Sequence, residues 1–474
     1  MLTSNKERMG HVMTTKSFGT GRMSEREVVV LLDTFRRLIR RRARVNLVKL
    51  IHKTHSADLA LLFRYFTDTQ RLDVFNLMKE DNRAGELLSE LDTSIVQSLL
   101  EPIEAEPIAE LLKEIGSDDM ADILGLLPDE KTNSILDTLK KEELEELMAY
   151  PQDSAGGIMA VDVFSLPETM KAKDAIDSIR TYYKEAEMVF YLYVTEEHKR
   201  LTGVVSLREL VTADPDAELK SIMTKEVVYV SPETDQEEVA RQVSRYNLLA
   251  VPVVDNDRTL LGIVTVDDVV DVIREEATED FLQMAGIGKD REILLKPVSE
   301  NVKLRLPWLF ATWVGGLMVA WISGIFEPVL MSTVALPAFI PVIIGMGGNV
   351  GTQSSTIIIR GFATGRIQLS RIGQVIWKEM RVGILLGIFY GFLLGVVSTF
   401  LKFLNVSPMI GLVVGLSICI SMLIATSIGT LVPILLRRLD VDPAVASGPF
   451  VTTSIDILGI LVYFLIAAHF LITV

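Results

Sequence analysis

The stretch Pro449–Val474 reads PFVTTSIDILGILVYFLIAAHFLITV and holds one acidic residue, Asp456, in an otherwise apolar run. A helix of about 20 residues crosses a bilayer, so this run is long enough to span one. A carboxylate inside a span is expensive unless it faces water, a partner group or an ion. No Lys or Arg lies within the predicted spans, so we expect Asp456 to face a cation. The alternative is a carboxyl group that is protonated or lies at a helix end.

Four more apolar runs precede this one, and five in succession predict a membrane domain rather than the core of a soluble protein. The five predicted spans are Leu306–Phe326, Pro328–Ile359, Val382–Leu401, Met409–Leu436 and Pro449–Val474.

Charge divides the chain near residue 300. The first 300 residues carry 37 basic and 57 acidic side chains, whereas the remaining 174 carry ten and five. This division excludes a purely soluble enzyme, an all-membrane protein and a disordered acidic chain. One cysteine, Cys419, and five scattered histidines argue against a disulfide framework and against a Cys- or His-based metal site.

Basic residues predict the orientation in the membrane. Residues 1–27 are mostly polar and lack the apolar core of a signal peptide, so we expect the N-terminal region in the cytoplasm. The loops after the second and fourth spans hold Arg360, Arg366, Arg371, Lys378, Arg381, Arg437 and Arg438. The opposite loops hold only Glu327 and Lys402. The positive-inside rule then predicts a multi-pass protein of the cell (plasma or inner) membrane, with the C-terminus outside.

The second span contains the sequence GMGGNVGTQSST, from Gly345 to Thr356. So many glycines and polar side chains suit a backbone that lines water or packs on protein, and do not suit a helix in lipid. Tight helix packing with Ser and Thr hydrogen bonds is the alternative explanation.

Residues 151–280 contain an internal duplication. The copies begin as GIMAVDVFSLPETMKAKDAI at Gly157 and SIMTKEVVYVSPETDQEEVA at Ser221, and continue as GVVSLREL and GIVTVDDVV. Each copy predicts the order strand, helix, strand, strand, helix, and the two should pack as one α/β module. Predicted strands of the second copy are Val227–Val230, Val251–Val254 and Leu261–Thr265.

This module resembles a pair of cystathionine-β-synthase-type (CBS) repeats, on the sequences PVVD at Pro252 and GIVTVDD at Gly262. In that family a Thr and the Asp three residues later face an adenosine ribose, and Thr265 and Asp268 match them. The resemblance implies an adenine-nucleotide (ATP) site, and a structural role without nucleotide is the alternative. The implied residues are Ser206, Arg208, Thr265 and Asp268.

Residues 31–150 predict an array of short amphipathic helices, since apolar residues recur at helical spacing in segments broken by Asp, Pro and Gly. The segments are LALLFRYF, AGELLSEL, IAELLKEI, MADILGLL and TNSILDTL. Ahead of them, FRRLIRRRARV (Phe35–Val45) predicts a basic amphipathic helix, solvated or facing lipid headgroups. The acidic balance of the soluble part argues against nucleic acid as a partner.

Acidic residues recur at helical spacing in three places. Asp118 and Asp122 are four apart, Asp268 and Asp271 three apart, and the run EATED ends at Asp280. Like charges on one helix face destabilise the helix unless a cation lies between them, and oxygen ligands suit Mg²⁺ or Ca²⁺. A solvated acidic face is the alternative for each pair.

Taken together, the chain resembles the MgtE-type magnesium transporters or channels. The resemblance is carried by PVIIGMGGNVGTQSST from Pro341, DVDPAVASGPFVTTSIDILG from Asp440, and EATED from Glu276. Two positions depart from the expected pattern: Asn247 stands where some members carry Asp, and Thr352 stands where an amide side chain is expected. These departures bear on one regulatory site and on ion preference.

The resemblance implies a homodimeric Mg²⁺ channel that admits Mg²⁺ and is closed when cytosolic Mg²⁺ binds the acidic patches. It places Asp456 at the ion in the pore, with the Gly348 carbonyl and the Thr356 hydroxyl as further oxygen donors. The implied cytosolic metal residues are Glu86, Asp118, Asp122, Glu237, Asp268, Asp271, Glu276, Asp280 and Asp442.

The predicted fold is multidomain: a superhelical α-helical N domain, an α/β CBS pair and an all-α membrane domain of five helices. The predicted boundaries are a polar tail at 1–30, the N domain at 31–150, the CBS pair at 151–280, a connector (plug) helix at 281–305 and the pore domain at 306–474.

Two other functions stay open. A transporter of another divalent cation, Co²⁺ or Ca²⁺, could be regulated by adenine nucleotide at the CBS pair. A membrane-anchored enzyme or receptor is the second, although the sequence has no P-loop, GxSxG or HExxH motif.

Overall fold

The computed structural model describes residues 24–79, 83–113, 115–139, 142–182, 190–287, 293, 296–332, 335–368, 371–400, 408–439, 441–445 and 448–472. The described residues form two compact units. The first consists of the segment up to Gln152 with 159–164 and 178–187, and the second of the remainder. The second unit therefore contains most of the predicted CBS pair together with the membrane helices.

The first unit is helical, as the sequence predicts. Its apolar residues at helical spacing are buried, including Phe63, Phe75, Leu88, Leu99 and Leu112. Its helices are α1 Glu25–Arg40, α2 Arg44–Lys53, α3 Ser56–Phe63, α4 Asp68–Lys79, α5 Ala84–Glu90, α6 Thr93–Leu100, α7 Ala105–Leu112, α8 Ser117–Gly125, α9 Asp129–Leu139 and α10 Glu142–Met148.

The basic segment Phe35–Val45 is not one helix. Helix α1 starts within the predicted polar tail, at Glu25, with a capping box between Ser24 and Glu27. It ends at Arg40, and Arg42 takes a positive φ of 50° before α2 begins at Arg44. The arginines therefore surround a corner between two helices.

The CBS region contains two small sheets. In the first, β1 runs parallel to β2 and β2 antiparallel to β3, with Ser165 opposite Tyr193. In the second, β4 and β5 are antiparallel, with Ala250 opposite Thr265. The elements are β1 Ser165–Pro167, α11 Ala172–Tyr182, β2 Tyr191–Thr195, a 3₁₀ turn Glu197–Lys199, β3 Leu201–Ser206, α12 Leu207–Thr212, α13 Leu219–Ile222, α14 Gln236–Tyr246, β4 Ala250–Val254, β5 Leu260–Thr265 and α15 Val266–Met284.

One predicted strand of the second copy is wrong. Val227–Val230 forms no strand, and Val230 makes a single parallel bridge to Val253. The segment begins five residues after the end of α13 and contributes one buried side chain, Val230, next to the second sheet. The predicted strands that became β4 and β5 are confirmed.

The C-terminal region consists of long helices, and four of them in the described chain are long and apolar enough to cross a membrane. These four are α16, α19, α20 and α21. The bounds are α16 Val298–Ile325, α17 Glu327–Ser332, α18 Leu336–Ala363, α19 Ile372–Phe400, α20 Pro408–Arg438 and α21 Pro449–Ile472.

The second predicted span, Pro328–Ile359, is divided between the short helix α17 and the long helix α18, and neither is among the four. The 28 residues of α18 give a length of about 42 Å, so composition rather than length sets it apart. Despite its glycines, Gly345–Thr356 lies inside one continuous helix, and Gly347 and Gly351 are buried in it. A continuous helix satisfies every backbone group internally, which the membrane interior requires. Helix α18 packs against α20 and α21.

The predicted connector at 281–305 is divided between two helices in the described residues. Residues 281–284 form the last turn of α15, which continues unbroken from the CBS module. Residues 298–305 form the first two turns of α16. Residues 288–292 and 294–295 lie outside the described residues.

Candidate ion pathway and acidic sites

Helix α21 presents Asp456 to α18. Val451 and Ile455 are buried on the same helix, whereas Asp456 is partly exposed in the single chain. Its Oδ1 atom is buried and has no hydrogen-bond partner among the described residues. A Cβ built on Gly348 of α18 would lie 3.9 Å from this oxygen. An unpartnered carboxylate oxygen at membrane depth needs water or a cation.

The face of α18 near Asp456 is polar. Asn349, Thr352, Gln353 and Thr356 follow helical spacing and are all exposed in the single chain. Thr352 Oγ1 donates a hydrogen bond of 2.9 Å to the Gly348 carbonyl. A polar helix face is not stable against lipid, so this face belongs against water or a second protein surface.

Gly348 and Thr356 do not lie at the same depth. They are eight residues apart on one helix, which corresponds to about 12 Å along its axis. Mg²⁺ holds its ligands at about 2.1 Å. The two residues would therefore meet a passing ion one after the other, and Gly348 is the one that adjoins Asp456.

Small residues bring α18 close to its neighbours. A Cβ on Gly429 of α20 would lie 2.3 Å from the Gly351 carbonyl oxygen, and one on Gly351 would lie 2.0 Å from Ile455 Cδ1. A larger side chain at Gly429 meets backbone and forces the helices apart, whereas one at Gly351 first displaces the tip of the Ile455 side chain. The predicted alternative of tight glycine packing therefore accounts for Gly351, while the neighbouring polar residues lie on the exposed face.

One buried acid was missed by the sequence reasoning. Glu379 of α19 is only 6% exposed, and its Oε2 accepts a 3.0 Å hydrogen bond from Ser354 Oγ of α18. Its neighbours Lys378 and Arg381 are exposed, and the run KEMR looks like the polar edge of a span. An acid between two bases at the start of an apolar run was the available signal.

A second acidic cluster lies where α15 ends. Burial, together with the negative charges of Asp442, Glu237, Glu276 and Glu279, raises the pKa of Asp280 to about 7. Burial also raises the pKa of Glu237, although Arg241 and Arg437 oppose that shift. Glu237, Glu276 and Asp442 therefore lie close enough to act electrostatically on Asp280, and metal binding by these four residues stays a prediction.

These acids repel one another without a cation. Within the described part of the chain, no three His, Cys, Asp or Glu side chains converge as ligands of a metal ion. Several are engaged elsewhere: Gln236 donates to Glu276, and Asp442 Oδ1 accepts from the Ala444 amide at 2.9 Å. The cluster suits a divalent cation that keeps its bound waters. Mg²⁺ is such a cation, because it gives up its waters reluctantly.

The CBS module touches the membrane helices beside this cluster. Arg241 of α14 pairs with Glu237 at 3.3 Å, and its side chain lies against Gly365 at the end of α18. A Cβ on Gly448, which precedes α21, would lie 2.8 Å from the Met284 carbonyl oxygen of α15. The end of α15 therefore abuts the start of the helix that carries Asp456.

The predicted N-domain acids lie in the first unit. Asp118 and Asp122 share α8, as their spacing predicts, and Asp122 is exposed. Glu86 on α5 is exposed and forms an ion pair of 3.5 Å with Arg83.

The residues of the predicted nucleotide site cap two helices. Thr265 and Asp268 form a capping box at the start of α15, and Ser206 forms one with Glu209 at the start of α12. Arg208 is exposed, and Asp271 pairs with Arg274 at 3.0 Å. Capping explains these Thr, Ser and acidic residues without any ligand.

A polar cavity of about 270 Å³ lies elsewhere in the CBS module, lined by Thr202, Lys225, Tyr229 and Arg258 among others. It adjoins the first residues of β3 and the turn before β5, so it lies at the opposite strand ends from the two capping boxes.

Three family models match the chain. A model described as a divalent cation transporter matches residues 340–466, the MgtE intracellular N domain matches 54–153, and the CBS domain matches 155–216 and 219–275.

Two relatives matched over most of their length are magnesium transporters. The chain is 39% identical over 338 residues to the magnesium transporter MgtE of Bacillus subtilis (strain 168), covering 71% of this chain and 74% of that protein. It is 40% identical over 341 residues to the magnesium transporter MgtE of Thermus thermophilus, with the same coverage. A solved cytosolic domain of the Mg²⁺ channel MgtE in complex with ATP covers 52% of this chain and 99% of that chain, at 35% identity and a TM-score of 0.47.

A CBS module joined to apolar helices, one of them with a lone carboxylate beside a polar helix face, defines a cation transport protein. With these relatives, the chain belongs to the MgtE family of magnesium transporters. The predicted family, the fold class and the assignment as a transporter rather than an enzyme are confirmed.

Proposed function

We propose that the chain forms a homodimeric Mg²⁺ channel in the cytoplasmic membrane, which admits Mg²⁺ and closes when cytosolic Mg²⁺ binds its acidic patches. The observation that carries the proposal is Asp456, whose buried Oδ1 atom lacks a hydrogen-bond partner in the described chain and faces Gly348. A divalent cation with its waters satisfies that oxygen.

The exposed polar face of α18 supports the dimer. Asn349, Thr352, Gln353 and Thr356 are open in the single chain at the level where lipid would otherwise cover them. A second copy that brings the same face opposite the first encloses these groups around a wet path. Two Asp456 carboxylates would then flank a passing ion.

The helix ends support the predicted orientation. The end of α18 lies against Arg241 of α14. Arg437, at the end of α20, acts electrostatically on Glu237, which is also on α14. These ends therefore lie on the CBS side, as does the start of α16, which follows α15. Five crossings, with α18 as the second, satisfy this arrangement and place the last residues outside.

Closure by Mg²⁺ is supported by the acids near the end of α15. Because burial and neighbouring negative charges raise the pKa of Asp280 to about 7, the ionised cluster resists the packing of α15 against the membrane helices. A bound divalent cation removes that repulsion. Mg²⁺ shifts the equilibrium between open and closed forms only by the difference between its affinities for the two forms.

Flux measurements on Asp456 variants test the pore. In proteoliposomes, Asp456→Ala should abolish Mg²⁺ uptake and Asp456→Asn should reduce it strongly, while both variants elute as folded protein. Ser454→Ala is the matched control, since Ser454 lies on the exposed side of the same helix. Uptake at the normal rate by Asp456→Ala would refute the pore assignment.

The same assay addresses the alternative substrates. The matching family model is described as a divalent cation transporter, so Co²⁺ and Ca²⁺ are the relevant competitors. We expect Mg²⁺ flux to exceed Co²⁺ and Ca²⁺ flux. ATP binding at the CBS pair stays a prediction, and titration of Thr265→Ala and Asp268→Ala variants with ATP tests it.

A further inference from the structure

Two helices precede the part of the chain that matches the N-domain model, which begins at residue 54. Helices α1 and α2 belong to the first unit and pack against its other helices. Leu32 and Phe35 of α1 are 8% and 0% exposed, and Leu47 and Ile51 of α2 are 4% and 1% exposed. Phe35 also contacts the Phe66 ring, with centroids 5.8 Å apart. The outer surface of the two helices is therefore held in a fixed position.

That outer surface is strongly basic. Between residues 24 and 45 the sequence has seven arginines against three acidic residues, in a soluble part that is otherwise acidic. We call the five exposed arginines around the bend the arginine corner. They are Arg37, Arg40, Arg41, Arg42 and Arg44.

Exposed apolar side chains lie beside the arginine corner. Val29 and Val30 are 56% and 66% exposed on the outer face of α1, and Val45 of α2 is 69% exposed. Tyr65 is 53% exposed and lies next to α1, because Arg36 donates a 2.6 Å hydrogen bond to its carbonyl oxygen.

We propose that the arginine corner docks on an anionic phospholipid surface. Guanidinium groups match phosphate geometry and are weakly hydrated, which suits headgroups. Exposed valines and a tyrosine gain by entering the apolar part of the interface, whereas a nucleic-acid backbone offers them nothing. Membrane-spanning helices attach the chain to a bilayer, so a lipid surface is available as a partner, and clusters of this density bind anionic lipid.

The test uses the full chain in nanodiscs. In a Cys419→Ala background, Val45→Cys carries a fluorophore, and quenching by spin-labelled lipid reports contact with the bilayer. We expect quenching in discs that contain phosphatidylglycerol, and little in phosphatidylcholine alone or at high salt. Each lost arginine should weaken docking by about fivefold, so replacing the arginine corner with Gln should abolish quenching.

A lysine version of the arginine corner is the matched control, since it keeps the charge and should retain most of the quenching. Far-UV circular dichroism should be unchanged in every variant, because the substituted side chains are exposed. Absence of quenching in anionic discs, or quenching that survives the Gln substitutions, would overturn the proposal. If the label is shielded from solvent and residue 45 cross-links to the second subunit, the surface binds protein and the proposal is wrong. If the chain binds RNA and the same Gln substitutions abolish that binding, the surface binds nucleic acid and the proposal is also wrong.

Discussion

Glu379 shows how a single residue can hold helix α18 in position. It is buried, and it accepts a hydrogen bond from Ser354 on the side of α18 that faces α19. The polar residues Thr352 and Thr356 lie on other faces of α18. The bond therefore fixes the rotation of α18 that directs its polar face away from α19.

We predict different outcomes for two substitutions of Glu379. Glu379→Gln keeps an acceptor for Ser354 and should retain near-normal Mg²⁺ flux. Glu379→Ala leaves the hydroxyl unsatisfied and opens a cavity, and should lower stability by about 1–3 kcal/mol together with flux. Thermal unfolding in detergent and proteoliposome flux measure both. If Glu379→Gln folds normally but conducts poorly, the negative charge itself is required and the positioning role is wrong.

Two residues that depart from the family pattern find local explanations. Asn247 takes a positive φ of 53° at the C-terminal end of α14, a conformation that Asn adopts more readily than most residues. Thr352 hydrogen-bonds to the Gly348 carbonyl within its own helix. Neither conformation follows from the residue type alone, so the sequence could mark these positions but not explain them.

At the scale of helices and strands, periodicity was a good guide where each element buries one face. The short helices of the N domain and strands β4 and β5 follow their patterns because burial of that face stabilises them. The bend at Arg42 was not predicted because no Gly or Pro marks it. Helix α18 stays continuous despite its glycines, because glycines that weaken a helix in water can pack closely against other helices in a membrane.

The contact between α15 and α21 gives a prediction for a pair of helices. A Cβ on Gly448 would lie 2.8 Å from the Met284 carbonyl oxygen, so Gly448→Ala must push the end of α15 away from the start of α21. We expect this variant to need several-fold more Mg²⁺ for closure, measured as flux against cytosolic Mg²⁺.

Gly316→Ala is the matched control for this substitution. Gly316 lies on α16, and a Cβ there meets nothing within 4 Å in the described structure. We expect the Gly316→Ala variant to close at the same Mg²⁺ concentration as the unmodified protein. If Gly448→Ala closes at the ordinary Mg²⁺ concentration, the contact does not transmit closure.

At the scale of the molecule, charge links the soluble and membrane parts. The first 300 residues carry 57 acidic and 37 basic residues, so divalent cations can stabilise the soluble part in two ways. They can screen its charge generally, or they can bind particular acids. Only the second makes closure depend on which carboxylates are present, because screening depends on total charge alone.

Charge-matched variants separate these two effects. Asp118→Asn, Asp122→Asn and Asp271→Asn together remove three charges from the predicted metal residues, and should leave the channel conducting at Mg²⁺ concentrations that close the unmodified protein. Asp129→Asn, Asp137→Asn and Asp257→Asn remove the same charge at exposed positions outside that set, and should close normally. Patch-clamp recording against cytosolic Mg²⁺ compares the two triple variants. Equal shifts in both would attribute closure to general screening, and no shift in the first would remove these three acids from the sensor.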